Sequence, residues 1–121
     1  MNDEPHAENS VSAARAAAML ESGGVQIVDV RGVDEWEAGR ITGATHIPLE
    51  ALPERSGEVA RDRPVIFQCR SGVRSAMAAE VMRASGVEAL NLEGGLEAWI
   101  EIGLPVEPRA GTAARPRPES G

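Results

Sequence analysis

Residues 64–86 read PVIFQCRSGVRSAMAAEVMRASG, and the stretch holds a strand, a turn and a helix in succession. Pro64 opens a short apolar run, Val65-Ile-Phe67, that lacks clean alternation, as a strand covered on both faces should. From Val73 the period changes. Val73, Met77 and Val81, with Ala78 and Met82 beside them, follow helical spacing and so predict the apolar face of a helix running to Ser85, with Gly86 as its stop. Between strand and helix lies Cys69-Arg70-Ser71-Gly72-Val73-Arg74-Ser75, which contains the chain's single cysteine.

The same alternation extends in both directions. Upstream, Ser10 or Ser12 caps a predicted helix that reaches Glu21 and stops at Gly23-Gly24. Val25 to Val30 predicts a buried strand, Val33 to Ala38 one or two helical turns, and Thr45 to Ile47 a short strand ended by Pro48. Leu49 to Val59 predicts broken helix, interrupted by Pro53 and Gly57. Downstream, Val87 to Leu92 predicts a strand, and Gly95 to Ile102 a last helix with Leu96, Trp99 and Ile100 on one face. Strands alternating with helices predict an α/β domain with a mostly parallel sheet.

The chain has 121 residues, enough for one domain. Residues 1–9 and 108–121 lack apolar periodicity and are expected to be a flexible N-terminal tail and a disordered C-terminal tail around a domain at 10–107. Apolar residues make up 42%, so a core is expected, and the net charge is −7, with arginine supplying all 12 cations. Such an acidic chain is a poor match for nucleic acid or an anionic membrane, and neither is expected as a partner. No apolar run approaches the roughly 18 residues of a membrane span. The acidic start MNDEPHAENS lacks the parts of a signal peptide, so a cytoplasmic location is expected. One cysteine leaves no internal disulfide and no multi-cysteine metal site.

A loop that leaves a strand and enters a helix sits where open α/β sheets bind ligands. Gly72 lets the backbone curl, the helix adds its positive N-terminal end, and Arg70 and Arg74 bracket the turn. All three favour an anion, and the thiolate of Cys69 is the first candidate. A free cysteine with pKa about 8.5 is only about 3% ionised at pH 7. Helix N-termini and arginines can bring that value to about 3.5–7.5, where most of the thiol is a nucleophile. A buried, inert cysteine has no use for two flanking cations.

Four stretches resemble the rhodanese single-domain sulfurtransferases across Val11 to Pro108. They are Asp29-Val-Arg31 followed by Glu35-Trp36, then Gly39-Arg-Ile-Thr-Gly-Ala-Thr-His-Ile-Pro48, the Cys69–Ser75 loop, and Leu92-Glu-Gly-Gly95 with Ala98-Trp99 and Gly103-Leu-Pro105. The resemblance implies a five-stranded, mostly parallel sheet with helices on both faces. It implies that Cys69 takes sulfane sulfur from thiosulfate, releases sulfite and holds a persulfide. Cyanide or an external thiol, on a small molecule or a protein, then accepts the sulfur in a second displacement. Arg70, Ser71, Gly72, Val73, Arg74 and Ser75 are implied to hold the small anionic donor, with Arg70 and Arg74 on its sulfonate. No metal or organic cofactor is implied. Related phosphatases carry Cys-x5-Arg, whereas Cys69 and Arg74 form Cys-x4-Arg, a tighter ring suited to one sulfur atom. A relay module that passes persulfide between partner proteins is the alternative reading.

Other residues carry less. Asp29 and Arg31 are expected to be structural rather than catalytic, either as an ion pair that supports the loop or as a strand-end carboxylate and a surface arginine. The pairing partner is not readable from the sequence. Arg40 stands where many relatives have histidine; its charge is expected to alter the pocket rim, and it is assigned no catalytic role. Gly94 and Gly95 predict a tight turn, Trp99 and Trp36 core positions, and His46 neither a metal ligand nor a general base. His6, Arg109, Arg115 and Arg117 read as solvated tail.

Overall fold

The structure, a computed structural model, describes residues 9–108, so nearly all of both expected tails lies outside it. Strand β1 (Ser10–Val11) leads into α1 (Ala13–Glu21). Ser12 caps this helix, its hydroxyl oxygen accepting from the Arg15 N–H at 3.1 Å, while Gly23 at φ +82° ends the turn beyond it. Next come β2 (Gln26–Asp29), α2 (Val33–Ala38), β3 (Arg40–Ile41) and β4 (Thr45–His46). The segment read as broken helix is two 3₁₀ turns, Leu49–Ala51 and Ser56–Glu58, flanking the single-turn α3 (Leu52–Arg55). The chain continues through β5 (Val65–Gln68), α4 (Val73–Ala84), β6 (Ala89–Leu92), α5 (Gly95–Glu101) and β7 (Val106–Glu107).

Five strands form one sheet in the order β1-β6-β5-β2-β4, and every pairing in it is parallel. The two-residue β1 and the antiparallel β3–β7 pair were not foreseen, because two residues carry no period. Strand β5 lies at the centre with all four residues buried, which accounts for its missing alternation. Successive residues feed opposite cores. Val65 and Phe67 join Val28, Val30, Ala78, Ala79 and Met82 under α4, while Ile66 joins Ile27, Leu92, Leu96 and Trp99 under α1 and α5. Phe67 is fully buried, a contribution of about 1.5–3 kcal/mol.

Helix α4 corrects part of one expectation: Ala78 and Met82 of the predicted apolar face are buried, the other three residues are not. Its buried residues are Ser75, Ala78, Ala79 and Met82, whereas Val73, Met77 and Val81 are exposed. Both sets have helical spacing. The rotation that brings Ser75 onto Cys69 lays the small alanines on the sheet and turns the valine–methionine stripe outward. Ile100 of α5 is likewise 51% exposed, although Leu96 and Trp99 pack inward as expected.

Candidate active site

Cys69 follows β5 directly and is 1% exposed, with α4 beginning four residues later. Its sulfur sits inside the curl of its own loop. The N–H groups of Gly72 and Ser75 point at Sγ from 3.2 and 3.4 Å, and the Ser75 hydroxyl lies 3.4 Å away. Gly72 reaches this geometry at φ +105°, a region L side chains avoid. Burial pushes the Cys69 thiol up. Hydrogen bonds from the Ser75 hydroxyl and from the N–H groups of Ser75, Gly72 and Ser71 outweigh it, and the thiol ends below its ordinary value.

Asn91 on β6 completes the ring, and the sequence reading missed it. Its Nδ2 donates to the Gly72 carbonyl at 3.2 Å, and its Oδ1 accepts from the Ser75 hydroxyl at 2.6 Å. The hydroxyl has one proton and two acceptors within reach. With a neutral thiol the proton goes to Asn91, the nearer oxygen, and the thiol donates to Ser75. With a thiolate, Sγ competes for it. The signal was present as a polar residue between Leu90 and Leu92 in an otherwise apolar strand.

Each of the two arginines is held by a carboxylate, and Arg74 also lies close enough to Cys69 to interact with it. Arg74 lays its guanidinium along the Glu35 carboxylate through two parallel bonds of 2.9 and 3.0 Å. That fork holds Glu35 at about 2, far below the usual carboxylate range, and pushes Arg74 up, with a smaller upward contribution from Cys69. Arg70 points into solvent, 3.0 Å from Glu97. Val73 also turns outward, so its side chain takes no part in the ring.

Of the two readings of Asp29 and Arg31 the structure has the ion pair, and both residues are buried. Arg31 donates through its N–H, Nε and Nη2 to the Asp29 carboxylate at 2.7–3.1 Å, and Nη2 also reaches the Gly39 carbonyl at 2.6 Å. His46 donates to the Arg31 carbonyl at 2.8 Å and stacks on Trp36 at 4.7 Å. Both are structural contacts, and Trp36 is only half-buried. The turn at Gly94 and Gly95 does more than connect strand to helix. Leu96 and Glu97 donate their N–H groups to the carbonyls of Cys69 and Arg70 at 2.8 and 3.1 Å. A Cβ on Gly95 would lie 2.6 Å from the Arg70 carbonyl oxygen and closer still to that of Cys69.

Among the described residues, no group of three or more His, Cys, Asp or Glu could hold a metal ion. None of the described helices is long and apolar enough to cross a membrane.

Comparison with known proteins gives the family and the fold. Residues 12–102 match the family model of the rhodanese-like domain. A sulfurtransferase from Allochromatium vinosum is 40% identical over 83 residues, covering 68% of this chain and 78% of that protein. The thiosulfate sulfurtransferase GlpE of Shewanella oneidensis is 36% identical over 84 residues, 69% of this chain and 83% of GlpE. A rhodanese-related protein from Thermoplasma volcanium superposes with a TM-score of 0.76 at 32% identity, covering 82% of this chain and 97% of that one. The chain spans 60% of the length of YqhL from Bacillus subtilis and 45% of that of an HTH-type transcriptional regulator from Mycobacterium tuberculosis, at 44% and 35% identity.

Proposed function

The chain belongs to the rhodanese-like domain family, and from that premise we propose that it is a thiosulfate sulfurtransferase with Cys69 as its nucleophile. The observation that carries this reading is the convergence of the Gly72 and Ser75 N–H groups and the Ser75 hydroxyl on Sγ. In a first displacement the Cys69 thiolate attacks the outer sulfur of thiosulfate. The sulfur–sulfur bond of the donor breaks, and sulfite leaves with its electron pair. The persulfide that remains is anionic at neutral pH and occupies the same ring of donors. An acceptor, cyanide or a thiol, then attacks the outer sulfur and returns Cys69 to its thiolate, which is ordinary two-step covalent catalysis.

Arg74 and Arg70 receive the sulfonate end of the donor in this reading. Both are held by carboxylates, Glu35 and Glu97, that stand in for the donor's charge and would be exchanged for it. The names of the Allochromatium and Shewanella relatives support sulfur transfer, and GlpE supports thiosulfate as donor. The loop length adds to this, because Cys-x4-Arg leaves less room for a tetrahedral phosphate than Cys-x5-Arg.

The test is the intact mass after incubation with thiosulfate, with Cys69→Ser as control. Gain of one sulfur atom on the wild type alone, reversed by cyanide, is the expected result. No gain removes thiosulfate as donor. A second reading, a relay that receives persulfide from another protein, is favoured by the exposed stripe Val73, Met77 and Val81, which starts at the cysteine loop. It then predicts sulfur uptake from a protein persulfide but not from thiosulfate. A cytoplasmic location is part of the same proposal.

A further inference from the structure

Beside the cysteine loop runs a groove of about 520 Å³, between α5 on one side and α2, β3 and β7 on the other. We propose that this groove is the subsite for an organic sulfur acceptor, a thiol with an aliphatic body and a terminal carboxylate. The inference rests on the sulfur-transfer reading above and names the acceptor class for it.

Three observations carry it. First, the groove abuts the loop. Its wall includes Arg70, the residue after Cys69, and Leu96 and Glu97, whose N–H groups hold the carbonyls of Cys69 and Arg70. Second, the floor is apolar, built from Ala38, Leu96, Ile100 and Val106. Thiosulfate and cyanide are small ions that gain nothing from such a floor, whereas a groove of this volume suits an organic molecule. With one cysteine in the chain, the acceptor must come from outside.

Third, the rim carries a cation suited to an anion. Two arginines of the groove are hydrogen-bonded to carboxylates, Arg31 to Asp29 and Arg70 to Glu97. Arg40 is not. It makes a loose ion pair with Glu107, 3.8 Å from Nε and too long for a hydrogen bond, and its one hydrogen bond among the described residues runs from Nη1 to the Trp36 carbonyl at 3.0 Å. The guanidinium lies 4.9 Å from the centre of the Trp36 ring, which fixes its direction. A cation held in place with donors unused is preorganised for a carboxylate.

The step balances without a further reagent. The acceptor thiolate attacks the outer sulfur of the Cys69 persulfide, and a new sulfur–sulfur bond forms on the acceptor. The bond between Sγ and that sulfur breaks, and its electron pair stays on Sγ. The acceptor departs as a persulfide.

The experiment follows the second half-reaction alone. Cys69 is loaded with thiosulfate, or with inorganic polysulfide if thiosulfate fails. Its discharge is then timed with mercaptohexanoate, mercaptohexanol and cyanide. The two thiols have similar acidity and chain length and differ in the terminal charge. The wild type is expected to prefer the acid to the alcohol. Ile100→Glu is expected to lower the acid-to-cyanide rate ratio by about fivefold or more, and Arg40→Gln to erase the preference for the acid. Melting temperatures identify any variant that misfolds, in which case Ile100→Ser reports on the same contact. Equal rates for acid and alcohol on the wild type overturn the inference, as does a ratio unmoved by either Ile100 variant. A chain that takes sulfur from neither reagent overturns the sulfur-transfer reading, and this inference with it.

Discussion

Glu35 and Arg74 are joined by two parallel N–H···O bonds of 2.9 and 3.0 Å, linking the first turn of α2 to the first turn of α4. The pair ties the chain's early half to the cysteine loop, and its strength depends on pH. Glu35 is held at about 2 in the fold against an ordinary 4.5. A depressed carboxylate stabilises the fold fully above its unfolded value, and the contribution is lost as pH falls through the folded one.

Glu35→Gln is therefore expected to lower stability at pH 7 by about 1 kcal/mol, a figure reduced for the pair's solvent exposure. The difference from wild type should shrink as pH falls from 4.5 toward 2. Thermal melts across that range check it, and a gap that stays constant with pH contradicts the ion-pair account.

Arg74→Ala is expected to raise the thiosulfate KM about tenfold or more, the value of one or two charge-assisted contacts, with a smaller effect on kcat. Steady-state kinetics with cyanide as acceptor measure the split. An unchanged KM removes Arg74 from donor binding.

Ser75→Ala takes away the hydroxyl that lowers the Cys69 thiol. The pH profile of alkylation by iodoacetamide should move upward, and the reaction at pH 7 should slow. Asn91→Asp gives a useful contrast. A carboxylate beside Ser75 fixes the hydroxyl proton on itself and should move the profile in the same direction.

Gly95→Ala places a methyl against two loop carbonyls at φ +58°. Strain of roughly 1–3 kcal/mol is expected from the backbone angle alone, and the collision adds to it. Sulfur uptake by Cys69 should fall along with the melting temperature. A variant with full stability and full uptake would falsify the close approach.

Asp29→Ala leaves the buried Arg31 guanidinium without its carboxylate. A loss of about 3–5 kcal/mol is expected, measured by urea unfolding.

The cysteine loop and the elements on either side of it were legible in the sequence because strand, glycine turn and helix each leave a local signature. Cys69 stood out for the same reason, whereas the pairing of Asp29 with Arg31 could be suggested but not read from the sequence. What faces what was not legible either. Ala78 and Met82 of the predicted α4 face are buried, but Val73, Met77 and Val81 share the helical spacing, and the contact of Ser75 with Cys69 turns them outward. The partners of the two arginines were out of reach as well, since Glu35 and Glu97 come from other parts of the chain. Asn91 illustrates the middle case. Its polarity in an apolar strand marks it as unusual, but its two hydrogen bonds depend on β6 lying beside the loop.

The bonds from Leu96 and Glu97 to Cys69 and Arg70 have a practical meaning for anyone rebuilding this domain. The loop and the 93–97 turn are far apart in sequence, yet they were shaped against one another. Grafting a longer loop from a phosphatase-type relative would lift the two carbonyls away from the helix that grips them, and residues 93–97 would have to be exchanged with it. The unit of transplantation is the pair of segments.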